Sequence, residues 1–397
     1  MIRITEKANC CGCSACVQSC PKHCISISED KEGFLYPKVD IGICIDCGLC
    51  EKVCPVLHQG APRTPIHVYA AKNKNEEIRR QSSSGGVFTL LAEQVIEAGG
   101  VVFGARFDEN WEVKHDYTET KEGLAAFRGS KYVQSRIENT YQEAKQFLGS
   151  GRLVLFSGTP CQIAGLKIFL RKEYDNLLLV DFICHGVPSP KVWRMYLDET
   201  AGNRESIQYI NFRDKTYGWK KYAFALNHTA TKEEAKILEL SSRNTYIKGF
   251  LSDLYLRPSC YICPSKELKS GSDLTIADFW GIQRVMPKID DNKGLSVVIE
   301  NTTKVANFIN TQDLSCWEAN YEDVLTYNPS IAISSKKHRN RERFFEEIQY
   351  RESVYRLILK YNKHPFLTRL TRKAKSLMLK ALGGSGIRVV KGIIYKR

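Results

Sequence analysis

The sequence predicts an α/β protein (α+β overall) in three parts: a small cysteine-rich domain at residues 1–57, a mixed α/β body at 66–335, and a basic helical tail at 336–397. Two identical cysteine patterns occupy the first 55 residues. Strand-like and helix-like segments alternate through the body, which is typical of an α/β layer architecture. The tail is distinguished by its charge.

The composition is that of a globular protein that can bury a sizeable core. The 397 residues are 43% hydrophobic, and no apolar run approaches the roughly 18 residues that a membrane-spanning helix needs. The N-terminus begins with charged residues and lacks the apolar segment of a signal peptide, so we expect a cytoplasmic protein. Fifteen cysteines in a reducing compartment indicate metal ligation or redox chemistry rather than disulfide bonds.

The excess positive charge belongs to the tail. Of the 58 Lys and Arg and 44 Asp and Glu residues, 336–397 hold 18 and 4, which leaves 40 of each sign in the first 335 residues. No aromatic platform or nucleic-acid-binding motif accompanies the basic residues, so we expect no nucleic-acid partner.

The repeated cysteine pattern indicates two 4Fe-4S clusters. Both copies read C-x2-C-x2-C-x3-C-P, the spacing of bacterial two-cluster ferredoxins, in which the fourth cysteine ligates the other cluster. Zinc sites group cysteines in pairs rather than in triplets with a trailing Cys-Pro. Cys11 and Cys24 fall outside the register and are interpreted as bystanders. The predicted ligand sets are crossed: Cys10, Cys13, Cys16 and Cys54 for one cluster, and Cys44, Cys47, Cys50 and Cys20 for the other.

Local structure is predicted between and after these motifs. Residues 24–40 alternate apolar and polar residues around a glycine, which predicts a hairpin. Residues 58–67 contain two prolines and a glycine and are interpreted as a linker. Beyond the linker, strands near 68–73 and 101–108 flank a helix with an apolar face. The small residues 82–86 precede that helix, where free backbone N–H groups favour an anion such as phosphate, although most Ser-Gly turns only cap helices.

The second half of the body places further cysteines at strand ends. Cys161 and Cys184 each follow a predicted strand, and the ends of parallel strands meet at one edge of a sheet. The C-x2-C pair Cys260 and Cys263 would complete a tetrad, for which spacing does not choose between zinc and iron. The alternative is two buried core cysteines and an unrelated pair. No G-x-G-x-x-G follows a strand and no Walker sequence occurs, which argues against those nucleotide sites.

Six segments in a fixed order resemble a known family. They are QSSSGGVFTLLAEQVIEAGGVVFGA, RGSKYVQS, SGTPCQIAGLK, ICHGVPSP, CYIC and ADFWG. In this order they resemble the family of beta subunits of coenzyme F(420) hydrogenases and dehydrogenases, in particular the bacterial branch with a fused two-cluster ferredoxin domain. The resemblance covers about residues 1–330. It implies that 66–150 form the family's N-terminal flavin-binding region and that 151–335 form its C-terminal domain.

The resemblance implies FAD and a third 4Fe-4S cluster in the body, with coenzyme F(420) as a candidate substrate. Backbone amides and Lys131 suit a pyrophosphate, and the alternative for Lys131 is a solvated surface lysine. The stretch 278–281 departs from the glycine-rich sequence at the end of the hydrogenase subunits' last motif, so we expect a different substrate pocket. The implied third-cluster ligands are Cys161, Cys184, Cys260 and Cys263. The implied flavin-binding residues are Ser84, Gly85, Gly86, Thr89, Ser130, Lys131, Tyr132 and Ser135.

Two functions are compatible with these features. The first is an iron-sulfur flavoprotein oxidoreductase that passes electrons between clusters and a FAD-linked hydride carrier or organic substrate. His185 and Asp278 are its candidates for proton delivery, unless they only hold cluster or flavin loops in place. The second is a non-catalytic electron-transfer subunit that serves a separate redox enzyme, with polysaccharide biosynthesis as the setting that the branch implies. Both require a redox partner protein or ferredoxin.

The tail is a candidate for membrane contact. Residues 343–361 and 366–382 are predicted helices, the second with an apolar stripe and basic residues elsewhere. A basic amphipathic helix can lie on an anionic membrane surface, which would place the protein peripherally at the inner face of the membrane. Docking on a partner protein and simple solvation are the alternatives.

Overall fold

The structure, a computed structural model, describes residues 1–230, 233–308, 310–350 and 353–362. Its N-terminal domain contains two short helices and a hairpin: α1 (Ala15–Gln18), β1 (Ile25–Glu29), β2 (Leu35–Val39) and α2 (Leu49–Lys52). The two strands pair antiparallel, with Ile25 opposite Val39, which confirms the predicted hairpin.

The body follows from residue 67. Its first region contains β3 (His67–Asn73), α3 (Glu76–Gln81), α4 (Val87–Glu97), β4 (Val101–Phe107), β5 (Val113–Thr118), α5 (Leu124–Phe127) and α6 (Thr140–Gly149). The next elements are β6 (Val154–Gly158), α7 (Pro160–Leu170), β7 (Leu177–Phe182), α8 (Pro190–Ala201), β8 (Ile207–Asp214), β9 (Ala223–Ala230), β10 (Glu233–Leu240) and α9 (Thr245–Leu251). The chain continues through β11 (Leu274–Asp278), α10 (Ile282–Val285), β12 (Ser296–Glu300), β13 (Leu314–Glu318), α11 (Tyr321–Tyr327), α12 (Arg341–Glu347) and α13 (Val354–Tyr361).

An eight-stranded mixed sheet forms the centre of the body. Its strand order is β13-β3-β12-β11-β7-β6-β4-β5. Strands β11, β7, β6 and β4 run parallel, and the outer strands pair antiparallel. The regions 66–150 and 151–335 both contribute strands and interleave, so together they form one folded unit. The sheet with its covering helices confirms the predicted α/β class.

Burial explains the pattern of the central strands. β7 is buried along Leu177–Asp181, as expected for a parallel strand that is covered on both faces. Leu90, Leu91 and Val95 of α4 belong to the apolar cluster on one face of the sheet. Ile163 and Leu166 of α7 belong to the cluster on the other.

A second, three-stranded sheet, ordered β10-β9-β8, packs with α8 and α9 in an aromatic core that includes Trp193, Phe212 and Tyr246. Part of the predicted tail joins this core, because Phe344 of α12 and Ile358 of α13 are fully buried in it. The predicted helix at 366–382 lies outside the described residues. Within the described ranges, no helix combines the length and the apolar character needed to cross a membrane.

The N-terminal domain packs directly on the body. Cys11, Cys13 and Ala15 share an apolar cluster with side chains of β6 and α7. The buried Gln18 side chain accepts hydrogen bonds from the backbone N–H groups of Tyr141 and Gln142 at the start of α6. The first cysteine motif is therefore part of a continuous core.

Candidate functional site

The eight N-terminal cysteines surround two separate cavities. The first cavity is lined by Cys10, Cys13, Cys16 and Cys54 together with Cys11, and the second by Cys20, Cys44, Cys47 and Cys50 together with Cys24. Each cavity thus contains one of the crossed sets that the spacing predicts, and Cys24, whose Sγ lies 3.4 Å from Cys20 Sγ, is not remote from the second set. The crossing arises because each trailing cysteine leaves its own motif and reaches the other cavity. The structure thus brings the eight side chains together as expected, while their role as cluster ligands stays a prediction.

The two motifs have equivalent backbones. Gly12 (φ +75°) and Asp46 (φ +50°) occupy matching positions, as do Ser14 (φ +59°) and Gly48 (φ +69°). Left-handed backbone at these points turns the chain around each cavity, so that successive thiols face inwards. The repeated spacing therefore encodes a repeated local structure.

A third group of cysteines lies at one edge of the large sheet. Cys161 stands in the first turn of α7, which a Thr159–Gln162 capping box and Pro160 begin directly after β6. Cys184 follows β7, the parallel neighbour of β6. A 3-10 turn at Pro258–Ile262 supplies the remaining pair. The four thiols line one cavity: Cys161, Cys184, Cys260 and Cys263. The sheet edge therefore unites residues that are about 100 positions apart in the sequence.

Across the described residues, no group of three or more His, Cys, Asp or Glu side chains is arranged to hold one metal ion. Burial raises the pKa of the Cys16 and Cys260 thiols to about 12 each, so metal ligation there would release protons.

Cys11 has a different place from the one that its sequence position suggests. It is buried, and its thiol interacts with the thiols of Cys13 and Cys161. It lines both the first N-terminal cavity and the cavity of the third set. Cys11 therefore lies between two predicted ligand sets, a juxtaposition that the spacing of the motif could not reveal.

A large cavity of about 720 Å³ adjoins the third set. Most of the predicted flavin-binding residues line it, together with both predicted proton donors: Ser84, Gly86, Thr89, Ser130, Lys131, Tyr132, Ser135, His185 and Asp278. Gly85 lies beneath the wall instead, where a Cβ atom would stand 2.4 Å from the Ala71 carbonyl oxygen. Gly85 is thus needed for close packing of the loop against β3 and does not face the cavity.

Lys131 is held inside this cavity and is not a solvated surface lysine. Its Nζ donates to the carbonyl oxygens of Phe127, Arg128 and Gly129 at the end of α5. Burial, with a smaller contribution from Arg106, lowers the pKa of Lys131 to about 7. An anionic ligand would offset this desolvation and favour the charged ammonium.

Asp278 at the end of β11 is engaged in a buried ion pair. Its two carboxylate oxygens accept hydrogen bonds from Arg213 Nη1 (2.7 Å) and Nη2 (2.8 Å). Trp219 Nε1 donates to the same carboxylate at 2.6 Å. Trp280 stacks on Trp219 with parallel rings, and the Arg213 guanidinium lies over the Tyr222 ring. These contacts favour the interpretation that Asp278 holds the pocket in place.

His185 separates the third cysteine set from the large cavity. Its Nε2 lies 2.7 Å from Asp253 Oδ1, without satisfying hydrogen-bond geometry, and its ring meets Phe250 edge-on. Residues 181–187 line both cavities, with His185 and Cys184 in the shared wall. A single stretch of chain, residues 181–187, therefore separates the two cavities.

Two further polar groups in the cavity were not apparent from the sequence. His115 is buried, and burial lowers its pKa to about 4, so the ring is neutral. Its Nε2 contacts the Ser157 carbonyl at 3.0 Å, which leaves Nδ1 without a protein partner among the described residues. Arg213 Nε is also unpartnered there. Arg213 and His115 lie outside the six ordered motifs, so only the folded structure places them in the cavity.

Comparisons with known proteins agree with this arrangement. Residues 9–57 match the model of a 4Fe-4S dicluster domain. Residues 68–140 and 151–320 match the models of the N-terminal and C-terminal parts of the coenzyme F(420) hydrogenase/dehydrogenase beta subunit.

Individual relatives match parts of the chain. An F(420)H(2) dehydrogenase subunit of Methanosarcina mazei is 25% identical over 183 residues, which are 43% of this chain and 51% of that protein. The 7Fe ferredoxin of Hydrogenibacillus schlegelii is 49% identical over 43 residues, 11% of this chain and 49% of its own. The chain thus spans about half the length of these curated relatives.

One solved structure is also similar, a chain of the coenzyme F(420)-reducing NiFe hydrogenase complex of Methanosarcina barkeri. It shares 16% identity, covers 73% of this chain and 94% of its own, and has a TM-score of 0.46. The family is shown by the two beta-subunit models, which match consecutive stretches of the body in order and together cover more than half of the chain. The chain belongs to the family of coenzyme F(420) hydrogenase/dehydrogenase beta subunits and carries an N-terminal 4Fe-4S dicluster domain.

Proposed function

We propose that the chain is an iron-sulfur flavoprotein oxidoreductase that passes electrons between three 4Fe-4S clusters and a FAD-linked hydride carrier or organic substrate. The observation that carries this proposal is the wall at residues 181–187, which lines both the cavity of the third cysteine set and the 720 Å³ cavity. Bound there, the clusters would supply single-electron exchange and the flavin would supply both hydride and single-electron exchange.

The cysteine sets are arranged in a series of contacts. Both N-terminal sets meet in one apolar cluster that contains Cys16, Cys20 and Cys50. Cys11 then lies between the first set and Cys161 of the third. The wall with Cys184 leads to the large cavity. A continuous series of this kind supports a relay from the N-terminal domain to the cavity.

The cavity has the size and the polar groups for a dinucleotide. Its volume lies within the roughly 300–1,000 Å³ that is usual for cofactor sites. Arg128 and Lys131 line the walls, and a pyrophosphate there would favour the charged ammonium of Lys131. Gly86 (φ +83°) begins α4 without a side-chain cap, as an anion at the first turn requires. The unpartnered His115 Nδ1 would accept a hydrogen bond from the ligand.

The residues of the wall differ in what they can do. His185 reaches the cavity and is one-third exposed, so it remains the better candidate for delivering a proton. Asp278 is committed to Arg213 and Trp219, and we assign it to positioning. Coenzyme F(420) is a candidate carrier, because the Methanosarcina mazei relative is named as an F(420)H(2) dehydrogenase subunit.

An electron-transfer subunit is the second candidate function. The same relative is named as a subunit, and the second N-terminal set lies at the surface, where Cys47 is exposed next to Ile43 and Ile45. A redox partner would approach this end in either case. Under this alternative, the separate enzyme would carry the substrate site.

The test is anaerobic purification of the full chain with iron, sulfide, zinc and FAD quantified, followed by a screen of carriers. We expect about twelve irons and one FAD per chain. Hydride exchange with deazaflavin or nicotinamide by the isolated chain would support the oxidoreductase. Activity only in the presence of a co-purifying enzyme would support the subunit. Zinc in place of iron, or about four irons per chain, would contradict the relay.

A further inference from the structure

Arg257 joins the first N-terminal cysteine set to the body. Its side chain is fully buried. Nε donates to the Cys10 carbonyl oxygen at 2.7 Å, and Nη2 lies 3.4 Å from Cys10 Sγ. The remaining donors reach the Leu35 carbonyl oxygen and Gln134 Oε1. All three guanidinium nitrogens of Arg257 therefore contact the first cysteine set or residues beside it.

The charge of Arg257 has no carboxylate counterpart. Among the described residues, the groups that contact its guanidinium are carbonyl oxygens, an amide, a thiol and the rings of Phe34 and Tyr36. The other fully buried arginine side chain, Arg79, pairs with Asp291. A buried, uncompensated cation is costly. Thiolates at the first set would supply the missing negative charge.

The same residue holds the loop of the third set. The Arg257 N–H donates to the Val187 carbonyl oxygen, and the Cys260 N–H donates to the Arg257 carbonyl oxygen at 2.9 Å. Gln134 in turn donates to the Cys11 carbonyl oxygen and lies beside Ser135, which lines the large cavity. Arg257 therefore connects the backbone at the third set with the sulfur of Cys10.

We propose that Arg257 is a positioning residue that raises the reduction potential of the cluster held by Cys10, Cys13, Cys16 and Cys54. It thereby sets the difference in potential between that cluster and the centres in the body. This rests on the proposed function. One-electron reduction makes a thiolate-bound cluster more negative, and charge and hydrogen bonds at its sulfurs set its potential. A fixed cation 3.4 Å from Cys10 Sγ favours the reduced form. Arg63 supplies a matched control, because it also donates to carbonyl oxygens, those of Leu268 and Ser272, away from this set.

The experiment is an EPR-monitored redox titration of the anaerobically purified full chain, with iron and FAD counted. Arg257→Gln and Arg257→Met remove the charge, and Arg257→Lys keeps it. In both neutral variants we expect the EPR signal of one cluster to titrate at a lower potential. Its reduction equilibrium constant should fall at least tenfold, which corresponds to about 59 mV for one electron. The Lys variant should recover part of this shift. Arg63→Gln should leave the component that shifts in the Arg257 variants unchanged.

The outcomes separate the inference from the proposed function. Unchanged midpoints in fully iron-loaded neutral variants would overturn the role of Arg257 alone, as would an equal shift of every component. Loss of iron from both neutral variants with full loading of the Lys variant would support it. Loss from all three would overturn it, because charge would not be the decisive property. Wild-type protein without about twelve irons and FAD would overturn the proposed function instead.

Discussion

Gly165 in the middle of α7 lies directly against Cys13 of the first cysteine motif. A Cβ atom at Gly165 would stand 2.9 Å from Cys13 Cβ and 3.0 Å from its Sγ. The first turn of the same helix carries Cys161 of the third set. One helix therefore supports two predicted ligand sets, and it can do so only where a residue without a side chain lets the cysteine loop approach.

We expect Gly165→Ala to destabilise the fold and deplete iron. Alanine would gain about 0.5–1 kcal/mol in helix propensity. Overpacking against Cys13 should cost about 1–3 kcal/mol, which outweighs this gain. Thermal unfolding and iron analysis would measure both effects. Gly149→Ala in α6 is the control, because nothing lies within 4 Å of its Cβ position. Equal iron content in the two variants would contradict the prediction.

Exchanging the residues at the equivalent positions Gly12 and Asp46 should deplete iron only when Gly12 is replaced. A Cβ atom at Gly12 would stand 2.6 Å from Gln134 Nε2 and 2.9 Å from Arg257 Nη1. Asp46 has the same left-handed backbone, but its side chain is exposed and pairs with the N-terminal ammonium. Gly12→Asp should therefore displace the first motif and lose about four irons. Asp46→Gly should keep iron at the wild-type level, and a comparable loss there would refute the distinction.

FAD affinity should fall as the pH rises through about 7. Burial lowers the pKa of Lys131 to about 7 in the free protein, so the ammonium that attracts an anion is lost above that pH. The dissociation constant should therefore rise by up to about tenfold per pH unit between pH 7 and 9. Fluorescence titration of the FAD-depleted chain would show this. Lys131→Gln should bind weakly with a flat profile, and a slope as steep as that of wild type would rule out Lys131 as the cause.

Replacing one partner of the Arg213–Asp278 pair should destabilise the protein more than replacing both partners by apolar residues. The side chains of Arg213 and Asp278 are 3% and 15% exposed. Asp278→Asn leaves a buried cation and should cost about 3–5 kcal/mol of the free energy of unfolding. The double variant Arg213→Met with Asp278→Leu should cost less. If Asp278 instead supplied protons, Asp278→Asn would keep its stability and change the pH profile of turnover.

The tail should divide functionally after residue 362. Arg341 pairs with Glu32 of the hairpin, and Phe344 is buried in the aromatic core. A chain that ends at Ser335 should therefore unfold more easily than one that ends at Asn362. Residues 363–397 contain 10 Lys and Arg and no Asp or Glu. Co-sedimentation with anionic liposomes should require them, at about 1 kcal/mol per basic residue at the surface. Equal sedimentation of the chain 1–362 would contradict the membrane contact that the sequence predicts for the tail.

Several features were determined by the sequence alone. The α/β class and the family follow from local patterns, because strand and helix periodicity, glycine turns and ordered motifs are short-range properties. The crossed cysteine sets are likewise encoded in two repeats of the same turn, and the structure gathers Cys10 with Cys54 and Cys20 with Cys44 as the spacing predicts. Cys161 and Cys184 line one cavity because they follow adjacent parallel strands.

Tertiary structure alone decided what lies between these sites. Cys11 reads as a bystander until α7 places Cys161 against it. Arg257 precedes the C-x2-C pair in sequence, yet its side chain reaches Cys10, which is 247 positions away. Arg213 reaches Asp278 from a different sheet. Such long-range contacts depend on how elements pack against one another, which no local period records. The contacts that connect the sites therefore depend on the folded core, whereas the residues of each site can be predicted from the sequence motifs.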